Sequence, residues 1–511
     1  MKNDRLFTGN RRKAGLTGML VCVLLVMCAC VFTAAAEEEK PRATAEPHGE
    51  FVETKNSWAA LRGLPRLADR IHEEETKIPV VAVYTQDQYP VYSLEEYVPC
   101  RVFMMNGGEG YDMTDAEQGM AAGIRVRGNS SAYYGVVEDM QGQQLPYRIR
   151  FDEKANMFGL NNGLERRSWV LLKAEWNLVA NDVGYKLGKI LLHEGNFCTD
   201  SMLVHMYLNG KFAGIYLLCE QNQTGKGRVE IDEPKKDYTG TETGYLLEID
   251  NYEEEPCFNV YYSDARVDVK DEEAEYTGAE MKDVKNEKRA FVSAAYSVHS
   301  DITDPAQMDF IAQYVNDVFY IVYSACEKKE YYTFDEAWNV VPAGAEIKNA
   351  EQAVAAVMDV DSVVDMYILE EIVCNNDVGE GSFYMCVDFS EKSTCEKLRF
   401  TCPWDYGWGY EGKPDKGYFA GRFCDKSFVS KYGDRTNPWF IVLCKQDWFR
   451  ARVTARFEEC RNDMNKMLDA EKKMLEGYRR DLSVENDWTV NSALSLVDWV
   501  KNRIKWFDKV Y

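Results

Sequence analysis

From Ile78 onward the apolar residues fall into short runs: Ile78 to Tyr84, Arg101 to Met105, Gly123 to Arg127, Tyr147 to Phe151, Ser168 to Lys173, Met202 to Leu208, Phe212 to Leu218 and Tyr245 to Ile249. Runs of this length, rich in β-branched and aromatic residues and broken by polar clusters, predict strands. Asn209-Gly210 between two of them predicts a tight hairpin, because both central residues of a type I′ turn need positive φ. One helix, Leu178 to Leu192, is predicted within the series. After about Ala279 the spacing changes to three and four. Asp304-Pro305 supplies a cap and a first-turn proline ahead of Met308, Ile311, Val315, Val318 and Val322. Asp361 is expected to open another helix with Val364, Ile368 and Ile372 on one face. Phe449, Val453, Phe457, Cys460, Met464 and Met467 make a long stripe, and Val497, Val500, Ile504 and Phe507 a final one; all these stripes read as core. The expected class is therefore α+β, with a β-rich lobe at about 78–278, a helical lobe at about 279–511, and a ligand site where they face each other.

The residues before this body read differently. Lys2, Arg5, Arg11, Arg12 and Lys13 precede an apolar run from Met19 to Phe32, then Ala34-Ala35-Ala36 and Glu37-Glu38-Glu39. Basic, apolar and small residues in that order predict a secretory signal over 1–36, and the apolar run is short for a membrane span. An exported protein with no stable membrane insertion after cleavage is expected, and residues 37–77 read as a flexible lead with a short helix near Ser57 to Ile71. The chain has 84 acidic and 60 basic residues, a net charge of −24; without residues 1–36 there remain 83 and 55, a net of −28. That excludes a general nucleic-acid or anionic-membrane binder, so any anion must be gripped locally. Twelve cysteines follow the signal, scattered mostly in apolar runs, and read as buried thiols. Cys374, Cys386, Cys395 and Cys402 lack paired CxxC spacing, and the five histidines fall in no ligand or triad spacing.

Two constellations carry candidate chemistry. In Ile124-Arg-Val-Arg-Gly-Asn-Ser-Ser131, period two puts Arg125 and Arg127 on one strand face; Gly128 permits close backbone approach, and Asn129 and Ser130 offer hydrogen bonds. Arg148 and Arg150 repeat the alternation, so four arginines on nearby strands present either a polyphosphate grip or ordinary cross-strand salt bridges. The second constellation is Glu370-Glu371-Ile-Val-Cys-Asn375-Asn376-Asp377, followed by Pro403-Trp404-Asp405-Tyr406-Gly407. Carboxylates at a helix exit and in a glycine-broken aromatic loop suit a base and a metal ligand, or equally caps and turns.

Arg125 to Ser131, Pro146 to Phe151, Ser168 to Leu172, Tyr207 to Glu220, Gly244 to Asp250, Asp377 with Phe383-Tyr384, Pro403 to Asp405 and Asn437 to Phe440 together resemble the CotH kinase family, named for spore coat protein H, over roughly 78–507. The resemblance implies an atypical, kinase-like two-lobe fold and transfer of the γ-phosphate of ATP, with Mg²⁺ or Mn²⁺, to serine or threonine of secreted, coat or cell-surface proteins. On that resemblance Asp377 is the catalytic aspartate and Asp405 the metal ligand. Arg125, Arg127, Gly128, Asn129, Ser130, Arg148, Arg150 and Glu220 belong to the nucleotide side. Three departures stand out. Gly407 replaces a second carboxylate, Gln144-Leu145 replaces a lysine pair, and Asn177 with Ala180-Asn181 replaces Asp with Arg-Asn. They leave as alternatives a non-catalytic surface or coat scaffold and, on Trp404, Trp408 and Tyr410, a carbohydrate-associated module.

Overall fold

Seven of the predicted runs form strands β1 (Val80–Thr85), β2 (Val98–Met105), β3 (Met120–Val126), β4 (Tyr147–Ala155), β5 (Arg166–Lys173), β6 (Ser201–Leu208) and β7 (Lys211–Cys219). In the computed structural model they close into a barrel in the order β1-β2-β3-β4-β5-β7-β6. Neighbours are antiparallel except β1 and β6, whose parallel pairing seals the barrel. The described residues are 76–107, 119–128, 130–133, 144–173, 177–250, 252, 254–262, 293–379, 381–393, 396–410, 412–415, 420, 437–483 and 487–511. The expected signal, most of the lead and the helix near 57–71 lie outside them.

Val81, Val83, Val102, Ile124, Val126, Ile149, Trp169, Leu171, Val204 and Leu218 fill the barrel. β3 and the first half of β4 alternate buried and accessible positions, as expected of strands with one covered face. β5 to β7 instead carry near-continuous apolar runs, because their outer side is also covered. There Leu172, Leu203 and Leu217 share a core with Val183 and Leu187 of helix α1 (Ala180–Leu191). The hairpin between β6 and β7 has Asn209 at φ 51° and Gly210 at φ 77°, the conformation its sequence predicts.

The second sheet departs from the expected split. β8 (Gly244–Ile249), β9 (Cys257–Tyr261) and β10 (Ser293–Val298) join β13 (Phe383–Asp388) and β14 (Arg399–Thr401) in the order β14-β13-β8-β10-β9; β11 (Tyr332–Phe334) and β12 (Val340–Pro342) form a separate hairpin. The section expected to be helical thus supplies three of the five strands. Their signals are weak for physical reasons. Ser293 to Val298 is mostly small residues, and every residue of β13 is buried, so neither run shows a two-residue period.

Around this sheet lie α2 (Pro305–Tyr323), α3 (Ala350–Val357), α4 (Val360–Val373), α5 (Pro438–Cys444), α6 (Asp447–Gly477) and α7 (Asp487–Val510). Asp304 caps α2 as predicted, accepting from the Ala306 N–H in a capping box with Gln307. The α4 cap is Asp359, not Asp361; Asp361 lies in the first turn and pairs with Arg452 at 3.1 Å. α4 is buried on nearly every side, which is why its apolar residues mark no single face. The chain is a mixed α+β structure. No helix of the described residues is long and apolar enough to cross a membrane.

A buried ion pair joins the last helix to α4. Arg503 Nη2 lies 2.6 Å from Glu371 Oε1, its Nε donates to the Glu371 carbonyl at 3.1 Å, and its guanidinium stacks 3.9 Å from the Trp506 ring centroid. Glu371 Oε2 also accepts from the Ala420 N–H at 2.7 Å. Removing the cation leaves a buried, uncompensated carboxylate. Arg503→Ala is therefore expected to cost about 3–5 kcal/mol in chemical denaturation, whereas Lys472→Ala, which removes one side of an exposed pair with Asp498, should leave the unfolding midpoint nearly unchanged. An equal effect for both would show that the pair contributes nothing special.

Candidate functional site

The barrel meets the helical part through α1 and the loop that follows β14. That loop is pinned along its length. The Tyr406 N–H donates to Asn181 Oδ1 at 2.6 Å, and the Tyr410 hydroxyl donates to the Ala180 carbonyl at 2.7 Å. The Tyr410 N–H donates to the Val373 carbonyl at 2.6 Å, and Asn376 Nδ2 to the Trp408 carbonyl at 2.8 Å. The first pair ties Asp405's loop to α1, and the second ties it to the turn that presents Asp377. Gly184 makes the close approach possible, because a Cβ there would sit 2.1 Å from Tyr406 Cδ2.

Non-glycine residues in the left-handed region gather here: Cys374, Ser382, Cys402, Asp405 and Tyr410, with φ of 50° to 61°. Such backbone persists only where surrounding contacts over-determine it, and it concentrates at functional sites. Asp405 is open to solvent yet crowded by protein on its remaining sides, as at the floor of a cleft. Desolvation raises its pKa, while the nearby Arg127 and the Gly407 N–H pull the other way. The Arg127 guanidinium lies 5.7 Å from the Trp404 ring centroid, and Trp404 stacks on Tyr185 of α1 at 5.6 Å.

The four arginines have different partners, although Arg148 feels the charge of the other three. Arg125 and Arg148 are register partners across β3 and β4, on the outer face of the barrel. Arg125 donates to the Leu94 carbonyl and lies 5.2 Å from the Tyr97 ring centroid, so a neighbouring loop occupies it. Arg148 reaches Ser168 Oγ at 3.4 Å; its pKa is lowered by burial and by Arg125, Arg127 and Arg150, although Tyr97 opposes this. Arg150 is exposed on the same face. Only Arg127, one residue beyond the strand, turns to the Trp404-Asp405 loop. Gly128 is at φ 89°, where a Cβ would meet Ser131 Oγ at 2.2 Å, so glycine is required. Ser130 begins a single helical turn, Ser130–Tyr133, and Asn129 lies outside the described residues.

Glu220, expected on the nucleotide side, lies in an ion-pair cluster of its own. It is fully buried at the end of β7, accepts from Asn161 Nδ2 at 2.6 Å and pairs with Arg166 at 3.1 Å and with Arg228. Those partners use both of its oxygens, which makes it the strand-end salt bridge.

Several residues with no assigned role complete the site. Glu370, on α4 one turn before the Asp377 loop, is buried and accepts from the Tyr406 hydroxyl at 3.2 Å. Burial raises its pKa to about 8; hydrogen bonds from Asn375 and Tyr406 lower it and the charge of Asp377 raises it. Glu370 Oε2 and the Tyr185 hydroxyl are buried without hydrogen-bond partners. On the second sheet, His299 Nε2 lies 2.6 Å from Glu248 Oε2. Burial works against the charge on His299, but the Glu248 carboxylate outweighs it and the pKa rises. Glu248 is also the register partner of Tyr384, whose hydroxyl feels the Arg127 field. Glu370 and Glu248 both stand in quoted motifs, but nothing in their spacing marks them apart from neighbouring acids.

Among the described residues no group of three or more His, Cys, Asp or Glu side chains is arranged to hold a metal unaided. Of the described cysteines, Cys100, Cys198, Cys219, Cys326, Cys374, Cys402 and Cys460 are buried free thiols. Asp405 is thus a single open carboxylate beside a cation. Such a site suits a divalent ion whose other ligands are phosphate oxygens and water.

A protein-family model described as CotH kinase protein matches residues 124–507. A comparison with curated proteins finds no match.

Two results should follow from this geometry. Because folding raises the Glu370 pKa, its stabilisation is complete below the unfolded value of 4.5 and is lost as pH climbs through about 8. Glu370→Gln should remove that slope, raising Tm at pH 8.5 relative to wild type by roughly 2–5 °C while changing little at pH 4.5; parallel Tm–pH curves would contradict this. Gly184→Ala should push Tyr406 off Asn181 at an overpacking cost of about 1–3 kcal/mol, measured by denaturant unfolding.

Proposed function

The chain belongs to the CotH kinase family, and on that premise we propose that it is an exported protein kinase that transfers the γ-phosphate of ATP to serine or threonine of secreted, coat or cell-surface proteins. On this reading the barrel is the nucleotide-side lobe and the helical part the acceptor-side lobe of a kinase-like fold. The observation that carries it is the convergence of three elements: Arg127 from the barrel, Asp405 from a loop hydrogen-bonded to α1, and Asp377 from a turn bonded to that same loop.

Asp377 is only partly buried, and its backbone is fixed by an N–H donated to Asn375 Oδ1 at 3.1 Å and by the Gly381 N–H on its carbonyl at 2.9 Å. It orients the acceptor hydroxyl and takes its proton as the phosphoryl group transfers. Arg127 sets positive charge beside the transferring group, and Asp405 is the residue that would hold Mg²⁺ or Mn²⁺. The bound ion would neutralise charge on the phosphates. The unpartnered Tyr185 hydroxyl and Glu370 Oε2 support a site that is completed by a ligand.

A non-catalytic scaffold is the second reading. It is favoured by Gln144, which stands where many relatives have lysine and donates instead to the Ile215 carbonyl at 2.7 Å, a structural use of the position. The expected export signal is common to both readings. The test is transfer of label from radiolabelled ATP with Mn²⁺ to a Ser-rich acceptor. Asp377→Asn should lower transfer by about 10²-fold or more at unchanged Tm, and Asp405→Asn should abolish the Tm increase given by ATP plus metal. If wild type neither transfers label nor gains Tm from ATP and metal, the scaffold reading replaces the kinase.

A further inference from the structure

Glu370 and Glu371 are neighbours on α4, yet among the described residues only Glu371 has a cation, Arg503. The donors to the Glu370 carboxylate are neutral: the Tyr406 hydroxyl at 3.2 Å and the Asn375 side-chain amide. A carboxyl that is 2 % exposed and faces no cation lowers stability, because its charge is desolvated and nothing of opposite sign answers it. A leucine of similar size would fill the position without that cost. What the two donors hold gives the reason for a glutamate.

Each donor belongs to one half of the site. Asn375 Oδ1 accepts from the Asp377 N–H at 3.1 Å, and the Asn375 N–H reaches the Glu370 carbonyl at 3.4 Å, so backbone and side chain both tie the Asp377 turn to the end of α4. Tyr406 follows Asp405 directly. Its N–H is held by Asn181 Oδ1 at 2.6 Å, and its ring packs against Gly184 and Tyr185 of α1. Asn375 and Tyr406 are both buried. One carboxylate thus receives a donor from two residues before Asp377 and another from one residue after Asp405. An ionised carboxylate only accepts, so the two donors meet on it without the competition that a hydroxyl, itself a donor, would introduce. The other ties between turn and loop lie farther along, from Asn376 to Trp408 and from Tyr410 to Val373, where a Cβ on Gly409 would sit 2.9 Å from the Val373 carbonyl. Of these ties, the one through Glu370 is nearest to Asp405 in the chain.

We propose that Glu370 is a positioning residue: by accepting one donor from each side it sets the separation of Asp377 and Asp405, and with it the alignment of the acceptor hydroxyl on the nucleotide. This role rests on the kinase reading of those two aspartates, whereas the link itself is a property of the fold.

Two measurements on the whole chain test it. Tyr406→Phe removes one donor hydroxyl and leaves the ring in its packing. Hydrogen exchange followed by mass spectrometry, without nucleotide or metal, should then speed up by about tenfold at the amides of Asp377 and Gly381, on the far side of the carboxylate. The same substitution made on Glu370→Leu should add nothing further there. In the transfer assay, Glu370→Leu and Tyr406→Phe should each lower kcat by about tenfold or more with KM for ATP within about twofold. Glu370→Gln, which keeps an acceptor oxygen, should recover most of what Glu370→Leu loses. Were the role packing alone, leucine would serve as well as glutamine, and that result would overturn the proposal. Exchange that rises in Tyr406→Phe only at the Asp405 loop would overturn it too, whether or not the chain transfers phosphate. Wild type that transfers no label while Asp377 exchange responds as expected would remove the kinase reading and support the link.

Discussion

Helix α1 is buried against three partners at once, and the site depends on that burial. Its Val183 and Leu187 share a core with β5, β6 and β7, and Gly184 and Gly188 admit the Asp405 loop at contact distance. Its polar positions are answered as well: Lys186 lies 2.5 Å from both Asp182 and Glu471, and Asp182 accepts from Ser201 Oγ at 2.6 Å. A buried charge cluster of this kind adds little net stability, but any slip of α1 would leave one member unpaired, so it fixes register. Asn181 then holds Tyr406 at a defined place, and Asp405 follows.

That dependence also explains why α1 can afford two glycines in a twelve-residue helix. Each costs about 1 kcal/mol in helix propensity relative to alanine. At positions 184 and 188 the alternative is a side chain driven into Tyr406 or Pro403, so packing outweighs propensity. Tyr185 lies between, its ring against Trp404 and Tyr406. The helix therefore meets the site with small residues where the loop backbone approaches and an aromatic where it recedes.

Strands β1 to β7 and the long helices were legible in the sequence, β3, β4 and the helices by a period and β5 to β7 as short apolar runs bounded by polar clusters, but the closure of the strands into a barrel was not. β10 and β13 were not, since small residues or complete burial erase the period. Asp377 and Asp405 were legible as motif members. The division of labour among the arginines was not: Arg127 lies one residue past the end of β3, and the occupation of Arg125 by Leu94 and Tyr97 comes from a loop about thirty residues earlier. The partners of Glu220 were equally hidden, since Arg166 lies fifty-four residues earlier in the chain. Glu370 was invisible because a glutamate on a buried helix looks like its neighbour Glu371 until the contacts separate them, one to Tyr406 and the other to Arg503.

These assignments change the electrostatic problem at the proposed kinase site. Four arginines would nearly neutralise a triphosphate by themselves, but Arg125 and Arg148 are engaged on the barrel's outer face and Gln144 is tied to Ile215. Arg127 is left beside Asp405, whose own carboxylate opposes a phosphate. One cation against one carboxylate gives no net attraction for a polyanion in an acidic chain. On the kinase reading the missing positive charge must therefore arrive with the nucleotide as a divalent ion, and Asp405, open on one side and raised in pKa by its crowding, is the group most relieved by that arrival.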